Sequence, residues 1–148
     1  MQQLPLGVQL GVSMRFGTYH EGPNGAVVAA LKELVAEKGH APLWILGPAG
    51  VSKTHLLQAS CAFAGERGLT SAYLPLAAPR DLVPGLLAGL EQLDLVVLDD
   101  VDAIAGQPAW EQALFTLHNE ILETGGRLAC SAQSPPAGVG FALADLAS

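Results

Sequence analysis

The chain has 148 residues, half of them hydrophobic and 14% charged, with seven basic against fourteen acidic residues and a net charge of −7. That length suits one domain with a single core, and the scattered lysines and arginines argue against direct nucleic-acid binding, which needs clustered basic residues on phosphates. No apolar run reaches the ~18 residues of a membrane span, and the opening MQQLPLGVQL lacks the basic region and apolar core of a signal peptide, so a cytoplasmic location is expected.

Residues 1–13 show no strong periodicity and read as an extended tail. The stretch EGPNGAVVAALKELVAEKGHAP then predicts a helix. Asn24 or Gly25 caps it, Val27, Leu31, Leu34 and Val35 form its apolar face, and Gly39 with Pro42 ends it. PLWIL (42–46) is a short buried strand running into a glycine loop, and KTHLLQASCAFAGERG is a helix closed by Gly68. SAYLPL (71–76) is a second strand, placed at a sheet edge by Pro75. PRDLVPGLLAGL reads as a short, proline-interrupted helix. LDLVVLDD (93–100) is an apolar strand ending in two carboxylates. QPAWEQALFTLHNEILETGG is a long helix with Pro108 in its first turn, and RLACSA (127–132) is a fourth strand.

Strands and helices alternate, and the strands are continuous apolar runs. Both features predict an α/β fold with a parallel sheet covered on its two faces. Cys61 falls on a helix and Cys130 on a strand, which reads as two buried thiols in a reducing compartment.

The stretch GPAGVSKT (47–54) follows a strand and opens a helix, the context of a phosphate-binding loop with the pattern G-x-x-x-x-G-K-[ST]. Gly47, Pro48, Ala49, Gly50, Val51 and Ser52 would form the nucleotide-binding loop, and backbone N–H groups of residues 49 to 54 would wrap the β-phosphate at a helix N-terminus, where the dipole favours an anion. Lys53 would reach the β- and γ-phosphate oxygens, the Thr54 hydroxyl would hold Mg²⁺, and His55, next on the helix, counts with the nucleotide-binding residues, a surface or packing role being its alternative. Ser52 stands where the pattern has glycine. If that position needs positive φ, serine costs about 1–2 kcal/mol, and its side chain could crowd the phosphate. The competing reading is a glycine turn with a surface lysine.

LDLVVLDD supplies the second half of such a site. Asp99 would hold Mg²⁺ directly or through water, and Asp100 would orient an attacking water. The competing reading is a strand end with solvated aspartates. The remaining histidines and the two cysteines form no pair at metal-ligand spacing.

Three stretches in order, RFGTYHEGPNGAVVAAL, LWILGPAGVSKTHLLQASC and VVLDDVDAIAGQPAWEQALFTLHNEILETGGRL, resemble the AAA+ domain of the bacterial DnaA family, and more closely its Hda (regulatory inactivator of DnaA) branch. The resemblance covers about residues 14–148. It implies a P-loop NTPase (AAA+) three-layer sandwich with a mostly parallel sheet, and ADP or ATP with Mg²⁺ as cofactors. It implies that Phe16, Tyr19 and the turn ending at Asn24 flank the adenine, with core packing and helix capping as their alternatives. Gln133 takes the place of a sensor residue that could hydrogen-bond a phosphate or water. The segment Gln3, Leu4, Pro5, Leu6 and Gly7 resembles the short motif with which Hda-like proteins dock on the DNA sliding clamp, one glutamine serving hydrogen bonds and two leucines serving apolar pockets.

The chain is expected to divide into an N-terminal tail (1–13) and a partial AAA+ nucleotide-binding domain (14–148) that stops before the arginine finger, a further strand and the C-terminal lid. That further strand would pair with the P-loop strand, so Leu43–Leu46 should lie on an open apolar edge and invite a homodimer. The resemblance implies a regulator of replication initiation that docks on the sliding clamp and acts on DnaA. Without the arginine, worth roughly 10³–10⁵ in rate, independent ATPase activity is not expected. The alternatives are a stand-alone P-loop ATPase and a DnaA-type initiator fragment.

Overall fold

Five short segments of the chain pair side by side into one sheet, in the order β1-β2-β5-β4-β3, and every pairing is parallel. The computed structural model describes residues 2–5, 25–37, 42–46, 51–77 and 83–133. The strands are β1 (Gln2–Pro5), β2 (Leu43–Leu46), β3 (Ser71–Pro75), β4 (Leu95–Asp99) and β5 (Arg127–Ala132), and the helices are α1 (Gly25–Ala36), α2 (Val51–Glu66) and α3 (Pro108–Thr124).

Because side chains alternate along a strand, each apolar run serves two cores at once. Leu95 and Val97 of β4, Leu43 and Ile45 of β2 and Ala129 of β5 face α1 and α2, where Leu31, Leu34, Leu56 and Leu57 complete a fully buried cluster. Val96 and Leu98, Trp44, Leu128 and Cys130 point the other way and meet Leu114, Leu117 and Ile121 of α3. The result is the expected three-layer sandwich. Among the described residues no helix is long and apolar enough to cross a membrane.

The helix ends follow from glycine. After α2, the Leu69 N–H reaches the Ala64 carbonyl at 2.9 Å and the Gly68 N–H reaches Gly65 at 3.0 Å, with Gly68 at φ 78. That double bond with a left-handed residue is a Schellman closure. Gly125, at φ 75, ends α3 in the same way. At the start of β5, the buried Arg127 donates from Nε to the Leu34 carbonyl at 3.0 Å, joining the last turn of α1 to the sheet.

Three expectations are corrected. The segment 79–90 does not continue as an α-helix where it is described; Pro84–Leu87 and Leu90–Gln92 are 3₁₀ turns separated by Gly89 at φ 88, which interrupts regular helical geometry. Residues 1–13 do not all precede the fold, since Gln2–Pro5 is one of its strands. Nor is the edge of β2 open: β1 lies along it, pairing Gln3 with Trp44 and Leu4 with Ile45. An uncovered row of backbone donors and acceptors is a liability, and here the chain covers it with its own first residues, so that argument for a homodimer lapses. Pro75 does sit on an edge strand, where its missing N–H removes no ladder bond.

Burial pushes the Cys130 thiol up to about 12. At pH 8 such a thiol is about 10⁻⁴ ionised, and only the thiolate is alkylated. Iodoacetamide at pH 8 should therefore leave Cys130 unmodified in the folded chain and label it in denaturant, as peptide mass spectrometry would record.

Candidate nucleotide site

The carboxyl ends of β2, β4 and β5 lie side by side, the position at which open parallel sheets hold ligands. α2 begins just beyond β2, so its first turn stands over the same place. Ser52 is the second residue of that helix, in right-handed conformation, and the left-handed penalty considered for serine does not arise.

Lys53 and Thr54 of α2 and Asp99 and Asp100 at the end of β4 are brought together across some 45 positions. Thr54 Oγ1 donates to Asp99 Oδ2 at 2.6 Å, and Lys53 Nζ lies 3.4 Å from Asp100 Oδ1. The Lys53 side chain is 1% exposed, so its ammonium is buried and needs a counter-charge; the Asp100 side chain, 26% exposed, supplies one. Burial raises the Asp100 carboxyl above its ordinary range, the charge of Asp99 adds to this, and Lys53 opposes both.

Asp100 is the only described non-glycine residue with positive φ, at φ 55 and ψ 55. This left-handed residue, tolerated by aspartate, ends β4 abruptly and starts the 3₁₀ turn Val101–Ile104, both of whose end residues are buried. Its N–H donates to Ser131 Oγ at 2.9 Å, and its carbonyl accepts from the Ala103 N–H at 3.0 Å. Ser131 Oγ in turn donates to Asp99 Oδ1. Tyr73 of β3 donates its hydroxyl to Asp99 Oδ2 at 2.7 Å; burial, the hydrogen bond and the charge of Asp99 together push this phenol upward.

Sequence reasoning passed over Ser131 and Tyr73. The available signal was one polar residue in the apolar run RLACSA and one polar-tipped ring in SAYLPL, but only the sheet order sets both strands beside β4. The buried Glu111, in the first turns of α3, holds the loop after the 3₁₀ turn by accepting the Gly106 N–H.

Other candidate residues fall elsewhere. His55 is 2% exposed and packed inside rather than on the surface. Gln133 leaves β5 exposed, its N–H 3.4 Å from Asp102 Oδ2, and none of the described hydrogen bonds joins its side chain to Lys53, Thr54 or Asp99. Gln3, Leu4 and Pro5 lie in β1. Leu6, Gly7, Phe16, Tyr19, Asn24, Gly47, Pro48, Ala49 and Gly50 are outside the described residues, and Val51 opens α2. A separate cavity of about 500 Å³ lies between α3 and the 3₁₀ turns, lined by Leu87, Glu91, Ala113 and Glu120 among others, and contains none of the site residues.

A hydroxyl and a carboxylate side by side are hard oxygen donors, the set that Mg²⁺ takes, so Thr54 and Asp99 fit that ion. Lys53 at a helix start fits a phosphate.

Sandwich, strand order and a Lys-Thr helix start beside an acidic strand end define a P-loop NTPase fold of the AAA+ type. Solved structures share it. The replication initiator DnaA bound to AMPPCP and single-stranded DNA aligns with a TM-score of 0.78 at 23% identity, over 94% of this chain and 48% of its own. Domain III of Thermotoga maritima DnaA aligns at 0.76 with 24% identity, over 95% and 64%. DnaI aligns at 0.67 with 17% identity, over 97% and 86%. The chain thus spans about half the length of the longer DnaA structures, and at these identities the likeness is one of fold. No family model matches the sequence.

Ser131→Ala strands the Asp100 N–H and one Asp99 oxygen, and losing a buried partner costs about 1–3 kcal/mol. An unfolding free energy from urea titration lowered by that amount, with an unchanged slope, is the expected result.

Proposed function

We propose that this chain binds ADP or ATP with Mg²⁺ and serves as an Hda-like regulator of replication initiation. The observation that carries the nucleotide reading is the meeting of Lys53, Thr54 and Asp99 at the carboxyl end of the sheet, with Thr54 and Asp99 2.6 Å apart. On this reading Lys53 takes the phosphates, and Thr54 and Asp99 hold the cation. Asp100 orients a water, with Gln133 as a sensor nearby. Phe16, Tyr19 and Asn24 flank the base, and the backbone from Gly47 to Ser52 wraps the phosphate. The fold shared with a DnaA solved with AMPPCP supports an adenine nucleotide as the occupant.

Calorimetric titration with Mg-ADP tests this directly. Saturation at micromolar ligand is expected, and Lys53→Ala should weaken it at least about tenfold, the effect of losing roughly 1.4 kcal/mol of charged contact. An absence of heat at millimolar Mg-ADP would sink the reading.

The regulatory part of the proposal rests on the first residues. Gln3–Gly7 would dock on the DNA sliding clamp, with DnaA as the protein acted upon, while the net charge of −7 speaks against direct DNA binding. The backbone of Gln2–Pro5 pairs with β2, so a docked extended peptide competes with that pairing for the same groups. Fluorescence anisotropy with labelled clamp should show binding by the full chain and its loss in a Leu4→Ala/Leu6→Ala double variant. Equal binding by both would remove the docking role.

A further inference from the structure

Asp99 is 1% exposed, yet its carboxylate meets three hydroxyls from three different elements. Thr54 and Tyr73 both donate to Oδ2, at 2.6 and 2.7 Å, and Ser131 donates to Oδ1. A carboxylate offers about four lone-pair directions, so these donors leave it almost no freedom to turn. Thr54 and Ser131 each have another task, at the helix start and as acceptor of the Asp100 N–H. Tyr73 has none. It lies on the outermost strand β3, in register with Val97, and belongs to no phosphate-loop pattern. Its ring packs against the core cluster beneath α1 and α2, which fixes the two rotatable bonds and presents the hydroxyl two residues along, at Asp99. That hydroxyl also lies within reach of Thr54.

We infer that Tyr73 is a positioning residue of the nucleotide site: its hydroxyl, anchored by a core-packed ring, sets the Asp99 carboxylate against Thr54 so that the two present a ready oxygen pair to the divalent cation that accompanies the phosphates. The inference rests on the nucleotide reading above and adds to it a residue from outside the loop and the acidic strand. Tyr73 touches neither phosphate nor cation. It acts through Asp99 and the Thr54 beside it, so its removal changes what the metal contributes and leaves the phosphate contacts of Lys53 alone.

The test compares ADP affinity with excess Mg²⁺ and with EDTA, in the full chain and in Tyr73→Phe, which keeps the ring and its packing. In the variant the metal-free affinity should stay within about twofold of the parent, and the tightening caused by Mg²⁺ should shrink at least about tenfold, the effect of one hydrogen bond to a charged group. An unchanged Mg²⁺ enhancement overturns the inference, and so does an equal loss with and without metal, which would be a packing defect. A parent chain that binds no ADP under either condition overturns the nucleotide reading and this inference with it. A second measurement needs no variant. The ¹³Cζ resonance of Tyr73, which reports its hydroxyl's hydrogen bond, should move when Mg²⁺ is added to the ADP complex and stay still when ADP alone is added. A resonance unmoved by Mg²⁺ overturns the inference.

Discussion

A carboxylate that is 1% exposed at the end of β4 has to be satisfied by the protein around it, and the rest of the site is arranged by how this is done at Asp99. An ionised carboxylate moved into an apolar interior without partners is far too costly to keep its charge. The hydroxyls that answer it come from α2, β3 and β5, on three sides of β4. Each is useful only if its element sits in one register and one orientation. The hydrogen bonds that neutralise Asp99 therefore also fix where the helix start stands relative to the strand ends.

Around this point the charges are unequal. Asp99 ends β4, Asp100 and Asp102 follow it closely, and Lys53 stands among them, 3.4 Å from Asp100. The raised carboxyl of Asp100 is the physical trace of that imbalance, burial and the neighbouring Asp99 outweighing the lysine. On the proposed function, a divalent ion with a phosphate answers this imbalance, because the pair brings positive charge to the carboxylates and negative charge to the ammonium together. The two apolar cores on either face of the sheet hold the strand ends still enough for this to matter.

Much of this was legible in the sequence. Apolar runs without alternation announced strands buried on both faces, and RLACSA became β5 with the expected limits. Pro108, Gly68 and Pro75 marked a helix start, a helix end and a sheet edge for reasons of backbone chemistry that need no tertiary context. The Lys-Thr and Asp-Asp pairs were visible because each is contiguous. Tyr73 and Ser131 were not, because their meaning depends on strand order, and one sequence gives no register between strands whose residues lie 26 and 32 positions from Asp99. The first strand was missed for a related reason: four residues containing a proline carry too weak a pattern, and only the need of β2 for a neighbour makes them a strand.

The left-handed turn at Asp100 bears on which sequences this fold can explore. At that position the backbone is open mainly to glycine, asparagine and aspartate, whose short polar side chains or missing Cβ tolerate positive φ. Glutamate, the other acidic side chain, meets a backbone barrier there, while asparagine, which discards the acid, meets almost none. Drift at Asp100 is thereby steered toward loss of the carboxylate rather than toward its replacement. Substitution at Asp100 can thus discard the acid in one step and keep the turn that leads from β4 into the 3₁₀ segment.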